Sequence, residues 1–202
     1  PCSISLASSS IASTFERLSQ TYAKDVNHVY YHNEILDLAD PSSFRALNEN
    51  YSVDERHVWH NGDIIEGADP ATFVAPYASG SLDFSLLLTH DAHDYYLGSD
   101  PLHVADMSSF KRKGSCWAVD NRNVYYIGMD AEIGKDIVPI GDYQTFRALN
   151  DCYAADAKYV YYKSEIVEGA DPKSFVPLSG EREYGYDKNR TYYHARGTSI
   201  QN

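Results

Sequence analysis

An all-β fold with short helical turns is expected for this chain, laid out as six β-hairpin repeats in two pseudo-symmetric three-repeat halves. A long duplication, a shorter unit inside it and an aromatic composition lead there. Tyr51, Asp54, Val58, Glu66, Gly67, Ala68, Asp69, Pro70 and Phe73 recur as Tyr153, Asp156, Val160, Glu168, Gly169, Ala170, Asp171, Pro172 and Phe175 at one constant offset. Phe44-Arg45-Ala46-Leu47-Asn48 recurs at that same offset as Phe146-Arg147-Ala148-Leu149-Asn150. Self-similarity at fixed spacing marks a repeat architecture. The shorter unit reads Tyr-Ala-x-Asp-x-x-x-Val-Tyr-Tyr, then a polar and apolar tail, then Ala-Asp-Pro-x-Ser-Phe. With 18 Tyr and 7 Phe against 2 Met among 202 residues, the core is expected to be built of flat rings, which suit sheets better than helical bundles.

In chain order, residues 1–20 form an N-terminal segment in which Ser13, Thr14 and Glu16, within Ile11 to Leu18, permit a short capped helix. Residues 21–113 carry the first three repeats and 114–202 the second three. Within a repeat, Tyr22-Ala23-Lys24 and Val29 to Ile35 carry strand formers, and Asp25-Val26-Asn27-His28 between them supplies turn chemistry. Asp54, Asp120, Asp156 and Asp187 fill the same slot, while in the third copy His90 stands in the place of Asp. The aromatic pairs are Tyr30-Tyr31, Trp59-His60, Tyr95-Tyr96, Tyr125-Tyr126, Tyr161-Tyr162 and Tyr192-Tyr193, the fourth copy carrying extra residues around Met129 to Gly141. Because successive strand residues face opposite ways, one ring of each pair lies in the core. The other lies in a second core layer or on an exposed aromatic ladder.

Asp40-Pro41-Ser42-Ser43-Phe44, Asp69 to Phe73 and Asp171 to Phe175 read as miniature helix starts, with Asp capping and Pro in the first helical position. Asp106 to Phe110 and Asp142 to Phe146 are versions without Pro. Phe44 with Leu47, and Phe146 with Leu149, fall three apart, as on one helical face. Pro76 to Ser81 and Lys111 to Ser115 read as loops, the second as the boundary between halves.

The formal charge of -12 argues against a nucleic-acid partner, since phosphate-binding proteins concentrate Lys and Arg. It suits a basic protein surface. No apolar run approaches the roughly 20 residues that span a bilayer, and the start at Pro1 reads as a processed or trimmed form. Cys116 and Cys152 each precede the opening aromatic of a repeat (Trp117, Tyr153), where pairing of neighbouring strands could bring them to disulfide distance or leave them as two thiols. Cys2 stands where a lipid-acceptor cysteine would at a mature N-terminus, although Pro1 before it suits such processing poorly.

The run Tyr186-Asp187-Lys188-Asn189-Arg190-Thr191-Tyr192-Tyr193, together with the recurring Ala-Asp-Pro-x-Ser-Phe, resembles the bacterial DKNYY repeat family from Tyr22 to about Tyr193. That resemblance implies a bacterial, often envelope-associated protein and brings no catalytic residues with it.

The densest polar cluster, His90-Asp91-Ala92-His93-Asp94, offers imidazole and carboxylate, but as a strand it divides them between faces, and a degenerate hairpin turn explains it. Asp120 to Asn123 and Asp187 to Asn189 lack the Gly and closing Glu of a calcium loop. No nucleophile elbow or phosphate-cradling loop is present. No catalytic residue, cofactor or metal is therefore assigned. The expectation is a non-enzymatic periplasmic or outer-envelope protein that binds another protein, most sharply an immunity protein neutralising a secreted toxic effector with a basic surface. The alternatives are a carbohydrate- or envelope-binding module stacking Tyr30, Trp59, Tyr125 and Tyr161 on sugars, and a structural lipoprotein. Asp63, Glu66, Tyr77, Glu165 and Glu168 are the candidate partner contacts.

Overall fold

The structure is a computed structural model, and it describes residues 14–75, 88–128, 137–138 and 142–198. The chain divides into two compact units, Pro1–Asp100 and Pro101–Asn202. The described residues contain no helix and form six small antiparallel sheets, five of four strands and one of three. In each sheet the strands neighbour one another in sequence order, so tight turns suffice as connections.

The fifth sheet shows the plan. Arg147–Ala148 pairs with Tyr153–Ala155, which pairs with Val160–Tyr162, which pairs with Glu165–Ile166; Tyr153 lies opposite Tyr162, and Tyr162 opposite Glu165. The same register sets Tyr22 opposite Tyr31, Tyr51 opposite His60, Trp117 opposite Tyr126 and Tyr184 opposite Tyr193.

The third sheet departs by one residue from the sequence expectation. Its register pairs Tyr96 with Thr89 and Leu97 with Leu88, and the turn carboxylate is Asp91, not His90: Asp91 Oδ1 accepts from the N–H groups of His93 and Asp94 at 2.7 and 2.9 Å. An Asp turn needs its acceptor two and three residues before those donors, which fixes Asp91 in the slot and makes Tyr96-Leu97 the equivalent of the Tyr pair.

Alternation then divides the second and fifth sheets, each within its own unit, between two neighbours. In the fifth, Tyr153 packs on Phe175, with ring centroids 5.0 Å apart, and Phe175 packs on Tyr192 of the sixth sheet at 5.7 Å. The phenylalanine that closes one repeat is thus sandwiched between a ring of its own sheet and a ring of the next. Tyr22, Phe44 and Trp59 repeat the arrangement at 5.7 and 5.5 Å, and Tyr51, Phe73 and Tyr96 at 5.9 and 5.9 Å. Trp117, Phe146 and Tyr161 share one further cluster. Of the two arrangements open for the second ring, the core layer is adopted in the fourth and fifth sheets, where both rings of the pair are buried, while Tyr193 of the sixth is exposed. Trp59, Tyr125 and Tyr161 are buried and only Tyr30 is half-buried, so no sugar-stacking ladder runs along these positions.

The expected helical turns are single hydrogen-bonded turns that do not propagate. The Phe44 N–H donates to the Asp40 carbonyl at 2.9 Å and the Phe175 N–H to the Asp171 carbonyl at 3.0 Å, after which the chain extends into the edge strands Arg45–Ala46 and Val176–Pro177. Extension sends residues an odd number apart to opposite faces. Phe44 accordingly joins the cluster of Tyr22 and Trp59, while Leu47 packs against that of Tyr51 and Phe73. Phe146 and Leu149 part in the same way. The N-terminal helix is replaced, over its described part, by the edge strand Glu16–Arg17, paired with Tyr22–Lys24.

Candidate protein interface

The carboxylates with the most contacts are structural. Asp156 Oδ1 accepts from the N–H groups of Lys158 and Tyr159 at 2.7 and 2.6 Å, and Oδ2 accepts from the Tyr161 hydroxyl at 2.6 Å and the Asp142 N–H at 2.9 Å. One carboxylate closes its own turn, orients a buried phenol and ties down the tail of the preceding repeat. Asp120 and Asp187 do the same, taking Asp106 N–H and Asp171 N–H at 3.0 and 2.8 Å, and Asp91 takes Asp69 N–H at 2.7 Å. Burial pushes these four carboxyl groups up, but the hydrogen bonds from phenol and backbone outweigh it and hold them below the ordinary carboxylate range. Burial, followed by the bond to Asp, pushes Tyr125 and Tyr192 up to about 12.

Asp54 keeps the turn and the link to Asp40 N–H at 3.0 Å, but Trp59 replaces the phenol. Asp25 takes the Tyr30 hydroxyl at 2.7 Å and the N–H groups of Asn27 and His28.

Within each unit the turns between third and fourth strands also meet. Asn61 and Gly62 lie in the left-handed region, at φ 52° and 89°, and a Cβ on Gly62 would come within 2.8 Å of the Tyr31 ring. His60 Nδ1 lies 3.2 Å from Ser99 Oγ, and Tyr162 stacks on His194 at 4.7 Å. In four sheets the last strand carries acid: Glu34–Ile35, Asp63–Ile64, Asp100–Pro101 and Glu165–Ile166. In the first, second and fifth sheets the opposite edges carry Arg17 beside Glu16, Arg45 and Arg147. Charged, two-residue edge strands block further strand pairing, and they give the second and fifth sheets one basic edge and one acidic edge.

Asp63 and Glu165 thus begin equivalent edge strands, with Glu66 and Glu168 in the turns that follow, and all four are exposed. Asp63 and Glu66 lie in the first unit, Glu165 and Glu168 in the second. Tyr77 lies outside the described residues. Glu34, Asp37 and Asp100 are exposed at matching places and were missed. Counting a fixed interval from the turn Asp, as from Asp25 to Glu34 and Asp91 to Asp100, would have found them.

Asp91 being the turn acceptor, the histidine-rich cluster is a hairpin turn. Cys116 and Cys152 are not joined in a disulfide; each packs half-buried against a different core cluster, so equivalent positions in neighbouring repeats are carried apart by the intervening ring layer. An open cleft lies between Leu149 to Asp151 and Val176 to Arg182, with Arg182 and Asp151 paired at 3.6 Å across it. No helix among the described residues is long and apolar enough to cross a membrane.

No curated protein and no solved structure matches the chain. The model of the DKNYY family matches residues 22–196, which takes in the described part of every sheet except the edge strand Glu16–Arg17 and the last residues of the sixth. This chain belongs to the DKNYY family.

Proposed function

We propose that this protein is a non-enzymatic binding module of the periplasm or outer envelope whose partner is another protein with a basic surface, and that it acts as an immunity protein neutralising a secreted toxic effector. The observation that carries this is the recurrence of exposed carboxylates, Glu34, Asp63, Asp100 and Glu165, on the same edge of four sheets. Within each unit the sheets beneath them are held ring on ring and by the turn carboxylates. Charge held in place in this way accelerates encounter with a cationic partner and adds specificity more than raw affinity. The pseudo-symmetric pairing of two three-repeat halves, proposed from the duplication, would present two such edges.

The carboxylates that are buried already serve turns and clamps, which leaves the exposed ones for a partner. The test is affinity capture from lysate and secreted fraction of the source bacterium, eluted in a salt ladder. The expected result is one stoichiometric partner released at moderate ionic strength, where exposed charges are screened, and slower association of the variant Glu66→Lys with Glu168→Lys. An unchanged on-rate in that variant would remove this edge from the interface. Retention on glycan material without a protein partner would overturn the reading.

A further inference from the structure

The sixth sheet exposes a face that the other complete sheets bury. Its Tyr184 and Tyr193 hold the places of Tyr153 and Tyr162 in the fifth, yet each is 37% exposed where Tyr153 is 0% and Tyr162 6%. Tyr186, opposite Val176 on the adjoining strand, is exposed with it. The rings of Tyr184 and Tyr193 lie 4.7 Å apart. In the second and fifth sheets the rings of this face, Tyr51 and Tyr153, are covered by a turn phenylalanine and then by the buried ring of the next sheet, Tyr96 or Tyr192.

The first sheet presents the converse. Tyr30 occupies the place of Trp59, Tyr96, Tyr161 and Tyr192, all buried, but is half-buried. It faces away from the second sheet, since Tyr22 on the other face makes that contact through Phe44. Around it Phe15 is 58% and Val26 69% exposed, with Phe15 6.0 Å from the Tyr30 ring. Asp25 Oδ2 accepts the Tyr30 hydroxyl.

We propose that a second copy of this chain occupies the open sixth face, docking its first sheet there head to tail, so that the Phe15, Val26 and Tyr30 end of one molecule meets the Val176, Tyr184, Tyr186 and Tyr193 end of the next. The chemistry is that of the interfaces already made inside the chain, ring against ring between consecutive repeats, and the two open faces are the two sides of such an interface. A heterologous contact of this kind extends into a chain or closes into a ring. The inference does not depend on the function proposed above.

The test is sedimentation velocity and light scattering over a wide range of protein concentration, on the intact chain and two variants. Phe15→Arg with Val26→Arg blocks the first end, and Tyr184→Arg with Tyr193→Arg blocks the last; all four residues are exposed, and near-ultraviolet circular dichroism checks that the fold is kept. The wild type should grow in mass with concentration through dimer to larger species. Each blocked variant alone should stay monomeric, its self-association at least about tenfold weaker, as expected when anchoring aromatic contacts are lost. Mixed together, the two variants should form a capped one-to-one dimer through their intact ends. A wild type that remains monomeric throughout, a last-end variant that still associates alone, or a mixture that stays monomeric would overturn the proposal. In the first case the open face would belong to a different protein.

Discussion

The fifth and sixth sheets have the same strand plan and register, yet one is enclosed and the other ends in exposed aromatic residues. Every residue of Tyr153–Ala155 and Val160–Tyr162 is buried, whereas Tyr184–Tyr186 and Thr191–Tyr193 alternate between buried and exposed. The sequence motif is common to both; what differs is whether a further sheet lies on the outer face. A repeat of this chain therefore buries its rings by stacking, not within itself, as expected of units whose stability comes largely from neighbour interfaces.

The comparison is broken most severely by truncating the covered ring. Tyr153→Ala should cost about 4 kcal/mol in urea unfolding, in the range for large buried aromatic residues, and Tyr184→Ala about 0.5 kcal/mol or less. Equal losses would show that the sixth face is enclosed in solution. Asp156→Ala, which leaves buried donors from two repeats without an acceptor, should cost about 3 kcal/mol.

A smaller effect sharpens the packing comparison. Gly185 lies beneath Phe175, and a Cβ there would come within 2.2 Å of the ring tip; the equivalent position of the fifth sheet already carries Ala154, in one cluster with Phe146. Gly185→Ala should destabilise by about 1–2 kcal/mol through overpacking. A neutral result would mean that Phe175 has room to retreat.

The clamps set a pH signature at both limits. Asp91, Asp120, Asp156 and Asp187 have folded values below the unfolded one, near 3.9, so their contribution is present above that value and is lost as pH falls through the lower folded values. Tyr125 and Tyr192 are raised to about 12. Their contribution is intact below the unfolded value of about 10 and is lost as pH rises through about 12. Absorbance titration of the tyrosinates should show the exposed phenols ionising first and the clamped ones only at higher pH or on unfolding. A single wave centred near 10 would contradict the clamps.

How far the chain could be read from its residues differs between local and long-range features. The Asp turns, the strands on either side of them and the phenylalanine after Asp-Pro are legible because each depends on partners within five residues, as Asp156 and Tyr161 do. The slip at His90 arose where Leu88-Thr89 replaces the usual Tyr-Ala and the motif loses its landmark. The separation of Phe44 from Leu47 was hidden because a period of three suggests a helix, and only pairing of Arg45–Ala46 with Ser52 and Val53 shows that the chain is extended there. Of the acidic edge, Asp63, Glu66, Glu165 and Glu168 were visible through the duplication, while Glu34 and Asp100 sit in copies whose flanking residues diverge.

By itself the sequence determined the repeat, its turn chemistry, its aromatic core and its family, because these are encoded by short-range spacing. Only the tertiary structure decided which ring of each pair is enclosed, that a turn carboxylate also holds the preceding repeat through a backbone N–H, and that Phe15, Tyr184 and Tyr193 of the first and sixth sheets are exposed. Those outcomes depend on which sheet stacks against which, and stacking is set by contacts between residues distant in sequence, such as Tyr153 with Glu183 and His194, 30 and 41 positions away, whose partners no local pattern names.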